Sequence, residues 1–204
     1  MPPASMTTNA DHAGRIGPNA ITRVAEALWA VEGAQSVNRI FRAAKLEIYL
    51  SSAPAGMIDE REVTDLHHTV RAVLGETRSR TIGWIAGQRT ADYLLSHRIP
   101  RLAQIALRAS PPPLASRLLA AAIAGHAWTF AGSGAFSARH GSPTTFSVGN
   151  CPLCRGQKAT APCCDFYAAT FERLFCRLVH PHTRVRETCC QALGEAACTF
   201  AITW

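Results

Sequence analysis

The chain has 204 residues, of which 48% are hydrophobic and 17% charged, and its formal net charge is +7. That is enough chain for one domain with a real core, while the best apolar run, residues 118–125, falls far short of the roughly 20 residues that a membrane-spanning helix needs. Only Lys45 and Lys158 are lysines; read as dispersed arginine charge, with no zinc-finger helix, RNP-type motif or basic helix, the balance speaks against a nucleic-acid partner and leaves a carboxylate-bearing ligand or a peripheral membrane contact.

Residues 1–14 are polar and aperiodic and read as a disordered tail. The opening MPPASMTTNADH has neither the basic nor the apolar region of a secretory signal, which predicts a cytoplasmic protein. From Pro18 to Glu32, Ile21, Val24, Leu28 and Val31 recur at helical spacing, with proline suited to the first turn and Gly33 to the stop. Further helices are expected over 37–50, over 59–74 with Gly75 as the stop, over 81–96, over 101–109 before three prolines, and over 114–130. His67 and His68, beside Asp65, read as solvent-facing. After Gly132 the pattern changes. AFSAR and TTFSV alternate as strands do, an amphipathic helix runs from Cys164 to Val179, and TRVRETCCQA and CTFAITW close the chain as strands joined at Gly194. Cys176 reads as a packing thiol within that helix. The outline is α+β: a helical region over 15–131, then a four-stranded antiparallel sheet with a covering helix over 132–204, in the order strand, strand, helix, strand, strand, as one compact domain.

Eight cysteines without an export signal predict metal binding or packing rather than a disulfide framework. Cys164, Glu187, Cys190 and Cys198 offer three thiolates and a carboxylate from a helix start and two adjacent strands, the makings of a closed tetrahedral Zn²⁺ shell. Strand parity complicates this set. Glu187 and Cys190 are three apart and would face opposite ways, whereas Cys189 shares the face of Glu187. A bulge or strand end near Cys189 would let Cys190 join. A rival set is Cys151-x-x-Cys154 with Cys163 and Cys164, and Cys151 and Cys154 also read as simple loop cysteines. Gly132-Ser133-Gly134 lacks the third glycine of a dinucleotide fingerprint, which would fall at Ser137, and no βαβ unit surrounds it. Zinc has no redox chemistry, so the residues alone do not support a reduction performed by this chain.

The run Glu187-x-x-Cys190-x-x-x-Gly194-x-x-x-Cys198-x-Phe200, with the upstream Cys164-Asp165-Phe166-Tyr167 and FERLF, resembles the signature of the 4-vinyl reductase domain family. TADYLLSHRIP and HAWTFAGSGAF are similar to the bacteriochlorophyll-biosynthesis branch of that family, and the resemblance runs from about Gly17 onward. It implies an α+β fold like that of aromatic-sensing and acyl-chain-holding domains, with an apolar ligand enclosed between helices and sheet. It also implies structural zinc on Cys164, Glu187, Cys190 and Cys198, with Cys190 rather than Cys189 in register. The ligand implied is a divinyl Mg-tetrapyrrole of the protochlorophyllide type, and the partners implied are other bacteriochlorophyll-synthesis enzymes. The role implied is in 4-vinyl reduction, as a carrier or as a reductase fed by an external electron donor; the sensor relatives offer a regulatory ligand-binding domain instead. Oligomeric state is left between monomer and homodimer.

A flat macrocycle needs an apolar slot, aromatic walls and a few polar anchors. Trp84, Trp128, Phe130, Phe136 and Phe146 are candidate walls, and they serve equally as ordinary core. His126 is a candidate axial ligand for magnesium. Arg89, Arg98 and Arg139 are candidate partners of a ring carboxylate.

Overall fold

The computed structural model describes residues 14–204. The expected tail lies outside the described residues except for Gly14, whose carbonyl accepts the Glu60 amide at 2.8 Å. Arg15–Ile16 (β1) pairs antiparallel with Ile58–Asp59 (β2), a ladder too short to leave an alternation signal in the sequence. The four helices expected over residues 18–96 are two long bent ones, Asn19–Ala43 (α1) and Glu60–His97 (α3). At Gly33 (φ 76°, ψ 172°) and Gly75 (φ 75°, ψ 175°) the chain leaves helical geometry for one residue and then resumes it. A side chain would make that positive φ costly.

The second expected helix stops at Ala43 instead of Leu50. Lys45 takes φ 59°, its amide donates to Arg42 O at 3.0 Å, and the Leu46 amide donates to Phe41 O at 2.8 Å, a Schellman closure that buries Leu46. A short helical turn, Ile48–Ser51 (α2), follows. Helix α3 starts at Asp59, whose carboxylate accepts the Arg61 amide at 2.9 Å, with Glu60 and Glu62 where the positive helix end favours them. Arg101–Ala109 (α4) forms as expected. The helix expected over 114–130 breaks at His126 into Pro112–Gly125 (α5) and Trp128–Ala131 (α6).

Ala135–Arg139 (β3), Thr144–Gly149 (β4), Arg184–Cys189 (β5) and Ala197–Thr203 (β6) form one antiparallel sheet in the order β3-β4-β6-β5, and Asp165–Leu178 (α7) covers one face. This is the α+β architecture that the sequence pattern predicts. Phe146 and Val148 of β4 and Cys198, Phe200 and Ile202 of β6 are buried, while the residues between them are partly exposed, the two-residue period of a one-sided sheet. Phe171 of α7 meets Phe146 at 5.1 Å and Phe200 at 5.5 Å between ring centroids. The opposite side of α7 lies close against α3 at Gly87: a Cβ there would sit 2.3 Å from the Phe166 carbonyl oxygen. Thr170 Oγ1 fills the remaining gap by donating to Gly87 O at 3.1 Å.

Two expectations fail here for physical reasons. His67 does not face solvent. Because α3 packs against both α1 and α7, its buried stripe is wider than a single face and takes in His67 with Val63, Leu66 and Val70. His67 meets Phe166 edge-on at 5.7 Å, and burial, reinforced by the Arg71 charge, pulls its pKa down to about 3. Nor is the charge dispersed: residues 93–164 contain no Asp or Glu but seven Arg and Lys, which equals the whole net charge of +7.

Candidate metal centre

Six of the eight cysteines converge where the sheet, the start of α7 and the 150–156 loop meet, and none of the eight is in a disulfide. The Cys151-Pro152-Leu153-Cys154 turn is closed by the Arg155 amide, which donates to Cys151 O at 2.9 Å, and by the Gln191 side chain, whose Oε1 accepts the Cys151 amide at 2.5 Å. Cys164 caps the first turn of α7, its carbonyl accepting from the Tyr167 amide at 3.0 Å. On β5 the parity problem is resolved by a bulge. Glu187 pairs with Phe200 and Cys189 with Thr199, so Thr188 is an extra residue. Cys190 follows the strand end in extended geometry and is fully buried, whereas Cys189 is half-buried.

Cys164, Glu187, Cys190 and Cys198 each bring one ligand atom, all within 4.8 Å of one another. Cys164 Sγ lies 3.5 Å from Cys198 Sγ, which lies 3.9 Å from Cys190 Sγ. A Zn–S bond of about 2.3 Å corresponds to a tetrahedral S···S edge of about 3.8 Å. Glu187 Oε2 accepts the Cys164 amide at 2.7 Å, while Oε1 is buried with no hydrogen-bond partner. Burial, then the neighbouring Cys190 sulfur, push the Glu187 carboxyl up to about 9. Hydrogen bonding with Cys151 and its other cysteine neighbours, together with burial, raises Cys164 well above the ordinary thiol range. Such a group of acids resists ionising by itself, and a divalent cation supplies the missing counter-charge. The donor set fits Zn²⁺.

The rival set changes membership. Cys151 Sγ lies 3.7 Å from Cys164 Sγ and Cys154 Sγ lies 3.4 Å from Cys198 Sγ, so the second closed group is Cys151, Cys154, Cys164 and Cys198 rather than one with Cys163. Cys163 Sγ approaches Cys190 Sγ at 3.9 Å instead. Cys176 stands apart, half-buried on α7, with its thiol donating to Thr183 O at 3.3 Å.

The expected pocket residues separate. Phe130 and Phe136 meet at 5.5 Å, and Phe136 meets Phe146 at 5.2 Å, while Tyr167 donates its hydroxyl to Phe130 O at 2.6 Å. These rings, with Phe171, fill the space between α7 and the sheet, where the resemblance implies an enclosed ligand. Trp84 packs on the core from α3, and Trp128 is half-buried at the start of α6. His126 is exposed, with Nδ1 2.9 Å from Ala122 O of its own helix. Arg89 pairs with Glu26 at 3.4 Å, and Arg98 and Arg139 are exposed. An enclosed cavity of about 20 Å³ beside His67, Arg71 and Phe166 has the size of one water rather than a macrocycle. A cavity of about 520 Å³ is open and charged, lined by Arg15, Asp59, Glu60, Arg61 and Arg155. The interior as folded therefore does not fit a macrocycle.

Sequence reasoning missed a buried acid next to that open cavity. Glu60 accepts from Arg155 at 2.6 Å, from the Ser133 hydroxyl at 2.6 Å and from the Ser133 amide at 2.7 Å. Burial alone would raise this carboxyl, but Arg155 and Ser133 outweigh it and hold it below the usual range. A Cβ on Gly132 (φ 59°) would collide with Glu60 Oε2, so the glycine of Gly132-Ser133-Gly134 makes room for a carboxylate anchor.

The vinyl-4-reductase (4-vinyl reductase) domain family matches residues 144–203, which carry β4, α7, β5 and β6. The bacteriochlorophyll synthase 23 kDa chain of Cereibacter sphaeroides is 44% identical across 93% of this chain and 91% of that protein. The protein of that name from Rhodobacter capsulatus is 38% identical across 94% of this chain and 88% of its own length. Among solved structures, an alanine-to-glycine mutant of the Fe(II) unliganded H-NOX protein from K. algicida is similar with a TM-score of 0.59, over 92% of this chain and 96% of that one, at 12% identity. The phenol-responsive sensory domain of the transcription activator PoxR aligns with a TM-score of 0.48 over 71% of this chain and 74% of that one, at 14% identity. The sheet with its covering helix and edge thiols is thus a domain of the 4-vinyl reductase type. Within that class, the chain belongs to the family of the bacteriochlorophyll synthase 23 kDa chains. No helix among the described residues is long and apolar enough to cross a membrane.

Proposed function

We propose that the chain serves bacteriochlorophyll biosynthesis as a zinc-stapled carrier of a divinyl Mg-tetrapyrrole intermediate of the protochlorophyllide type, which it presents to other enzymes of that pathway. The reading is carried by 44% identity, over 93% of the chain, to a bacteriochlorophyll synthase 23 kDa chain. Zinc on Cys164, Glu187, Cys190 and Cys198 ties the start of α7 to β5 and β6. Its part is structural, because zinc supplies no electrons.

The pigment docks outside the packed interior, at the corner of α5 and α6. There the exposed His126 is followed by the half-buried Trp128, Phe130 and Phe136. A neutral imidazole at His126 would ligate the magnesium, and the aromatic edges would give the ring an apolar seat. Trp84 packs on the core from another helix and takes no part in this seat.

An absorbance titration of the purified chain with divinyl and monovinyl Mg-pigments tests the proposal. Saturable band shifts that favour the divinyl form are expected, with affinity weakened about tenfold, or about 1.4 kcal/mol, by His126→Ala. Titrations that leave the bands of every pigment unmoved sink the carrier reading. Anaerobic turnover of the divinyl form by the purified chain and a reductant would replace it with a reductase.

A further inference from the structure

The geometry points to a binuclear thiolate centre, in which Cys164 and Cys198 bridge two divalent ions, Cys151 and Cys154 complete one ion's shell, and Glu187 and Cys190 complete the other's. This rests on the zinc reading above and extends it to a second ion. The argument begins with ligand counting. Two tetrahedra that share an edge need six ligands, two bridging and two terminal on each side. The two closed groups in this protein share Cys164 and Cys198 and differ in two residues each. The shared edge measures 3.5 Å, Cys151 reaches one end of it at 3.7 Å and Cys154 the other at 3.4 Å, and Cys190 stands 3.9 Å from Cys198. All are close to the tetrahedral S···S edge of about 3.8 Å.

The surroundings suit such a centre. Two divalent cations with five thiolates and one carboxylate carry a net charge of about −2, and binding releases the thiol and carboxyl protons. Arg71 stands beside it. One nitrogen of its guanidinium donates to Leu153 O at 2.7 Å and Cys163 O at 3.2 Å, and Nη1 is buried without a hydrogen-bond partner. The Gln191 amide points at Cys198 Sγ at 3.5 Å. A single ion in the Cys164-Glu187-Cys190-Cys198 shell would leave Cys151 and Cys154 as fully buried thiols held at ligand distance with nothing to bind.

Elemental analysis of the purified full chain, with Co²⁺ titration followed by electron paramagnetic resonance, tests this. Two ions per chain are expected in the wild type and one in the Cys151→Ser/Cys154→Ser double variant. The high-spin cobalt signal should grow to one equivalent and then fall as bridging thiolates couple the second ion to the first. Cys163→Ser should leave both readouts unchanged. One ion in the wild type, retained by the double variant, overturns the binuclear centre and leaves the single-zinc reading standing. One ion that the double variant loses overturns both and moves the metal to the Cys151-Cys154 side. Absence of metal and of cobalt binding also overturns both.

A separate observation concerns α4 and α5. Helix α4 buries the polar Gln104, whose amide donates to Leu95 O at 2.6 Å and Ile99 O at 2.9 Å, yet leaves Leu102 81% and Ile105 60% exposed. On α5, Leu114 and Leu118 are also exposed. Arg98, Arg101, Arg108 and Arg117 accompany them, and this is the stretch without a single carboxylate. We infer that these helices dock on an anionic lipid surface, the partner that takes up apolar side chains and arginines together.

Vesicle flotation with the full chain tests the inference. Binding to phosphatidylcholine vesicles containing phosphatidylglycerol should exceed binding to phosphatidylcholine alone by at least about tenfold and fall with salt. Leu102→Ser/Ile105→Ser should abolish it at unchanged melting temperature. Equal binding to both vesicle types, or binding to neither, overturns the inference. So does a dimer of the wild type that the double variant loses, which would assign the surface to a second copy of the chain.

Discussion

Replacing Gly87 with alanine would force apart the two helices that hold Cys164 in place. The added Cβ would lie 2.3 Å from Phe166 O and 2.9 Å from Ala169 Cβ, both fixed parts of α7. Relief requires α3 and α7 to separate by about 1 Å, since carbon contacts settle near 3.5 Å. Overpacking of this kind costs about 1–3 kcal/mol. The hydrogen bond from Thr170 to Gly87 O, 3.1 Å long, would be stretched, at about 1 kcal/mol. Alanine's helix preference returns about 1 kcal/mol. The net loss is about 2 kcal/mol, or a fall in Tm of about 4–8 °C for a chain of this size. Circular dichroism melts of Gly87→Ala beside Gly125→Ala give the measurement. A Cβ on Gly125 meets nothing within 4 Å, so that variant should melt at or above the wild type. A Gly87→Ala protein as stable as the wild type would refute the close packing of α3 on α7. A second transition in the wild-type melt would refute the single compact domain, because this contact joins region 15–131 to region 132–204.

Three further outcomes follow from the buried groups. Arg155→Ala leaves the Glu60 carboxylate without its cation and should cost about 2–3 kcal/mol in urea denaturation, a loss that Glu60→Gln in the same chain partly restores. Glu60 is held low, so its contribution is present above the unfolded value near 4.5 and disappears in acid, where Arg155→Ala and wild type should converge. His67 carries the same sign from a different cause. Its pKa is about 3 folded against about 6.5 unfolded, so stability is full above pH 6.5 and declines by about 1.4 kcal/mol per pH unit below it; an unchanged slope in His67→Gln would reject this assignment. Metal removal by a chelator should lower Tm, and Cys198→Ser should lower metal content and Tm together while Cys163→Ser changes neither, because Cys198 belongs to both closed groups and Cys163 to neither.

The sheet and its covering helix were legible because their burial is one-sided and leaves a two-residue or helical period in the sequence. The helices α1 and α3 were half-legible. Gly33 and Gly75 mark real breaks, but the chain resumes its helix at once because packing on both sides of α3 outweighs a single non-helical residue. His67 was misread for the same reason, since a histidine on a helix buried from two sides gives no polar face to recognise. The metal set could be written from the cysteine and glutamate spacing, yet the choice between Cys189 and Cys190 turned on Thr188, an extra residue that only the pairing with β6 displays. The sharing of Cys164 and Cys198 between two groups was invisible, because Cys151 and Cys154 reach them through a loop that carries no periodicity. Glu60, Ser133 and Arg155 lie far apart in sequence, and no local pattern foretells their meeting.

The filled interior decides how a pigment is held. A macrocycle entering between α7 and the sheet would displace Phe146 and Phe171, both buried and in ring contact at 5.1 Å. Removing either ring costs about 3–5 kcal/mol of folding free energy, so entry at that place would spend much of the binding energy on unpacking. A seat outside, at His126, Trp128, Phe130 and Phe136, displaces nothing. The two routes separate cleanly by mutation. Phe171→Ala should lower stability by about 3–5 kcal/mol while leaving pigment affinity within about twofold, and His126→Ala should do the reverse. Denaturation curves and pigment titrations on the same two variants provide the readout. Affinity that collapses in Phe171→Ala under conditions where the protein is still folded, and survives in His126→Ala, would place the pigment inside and overturn the external seat.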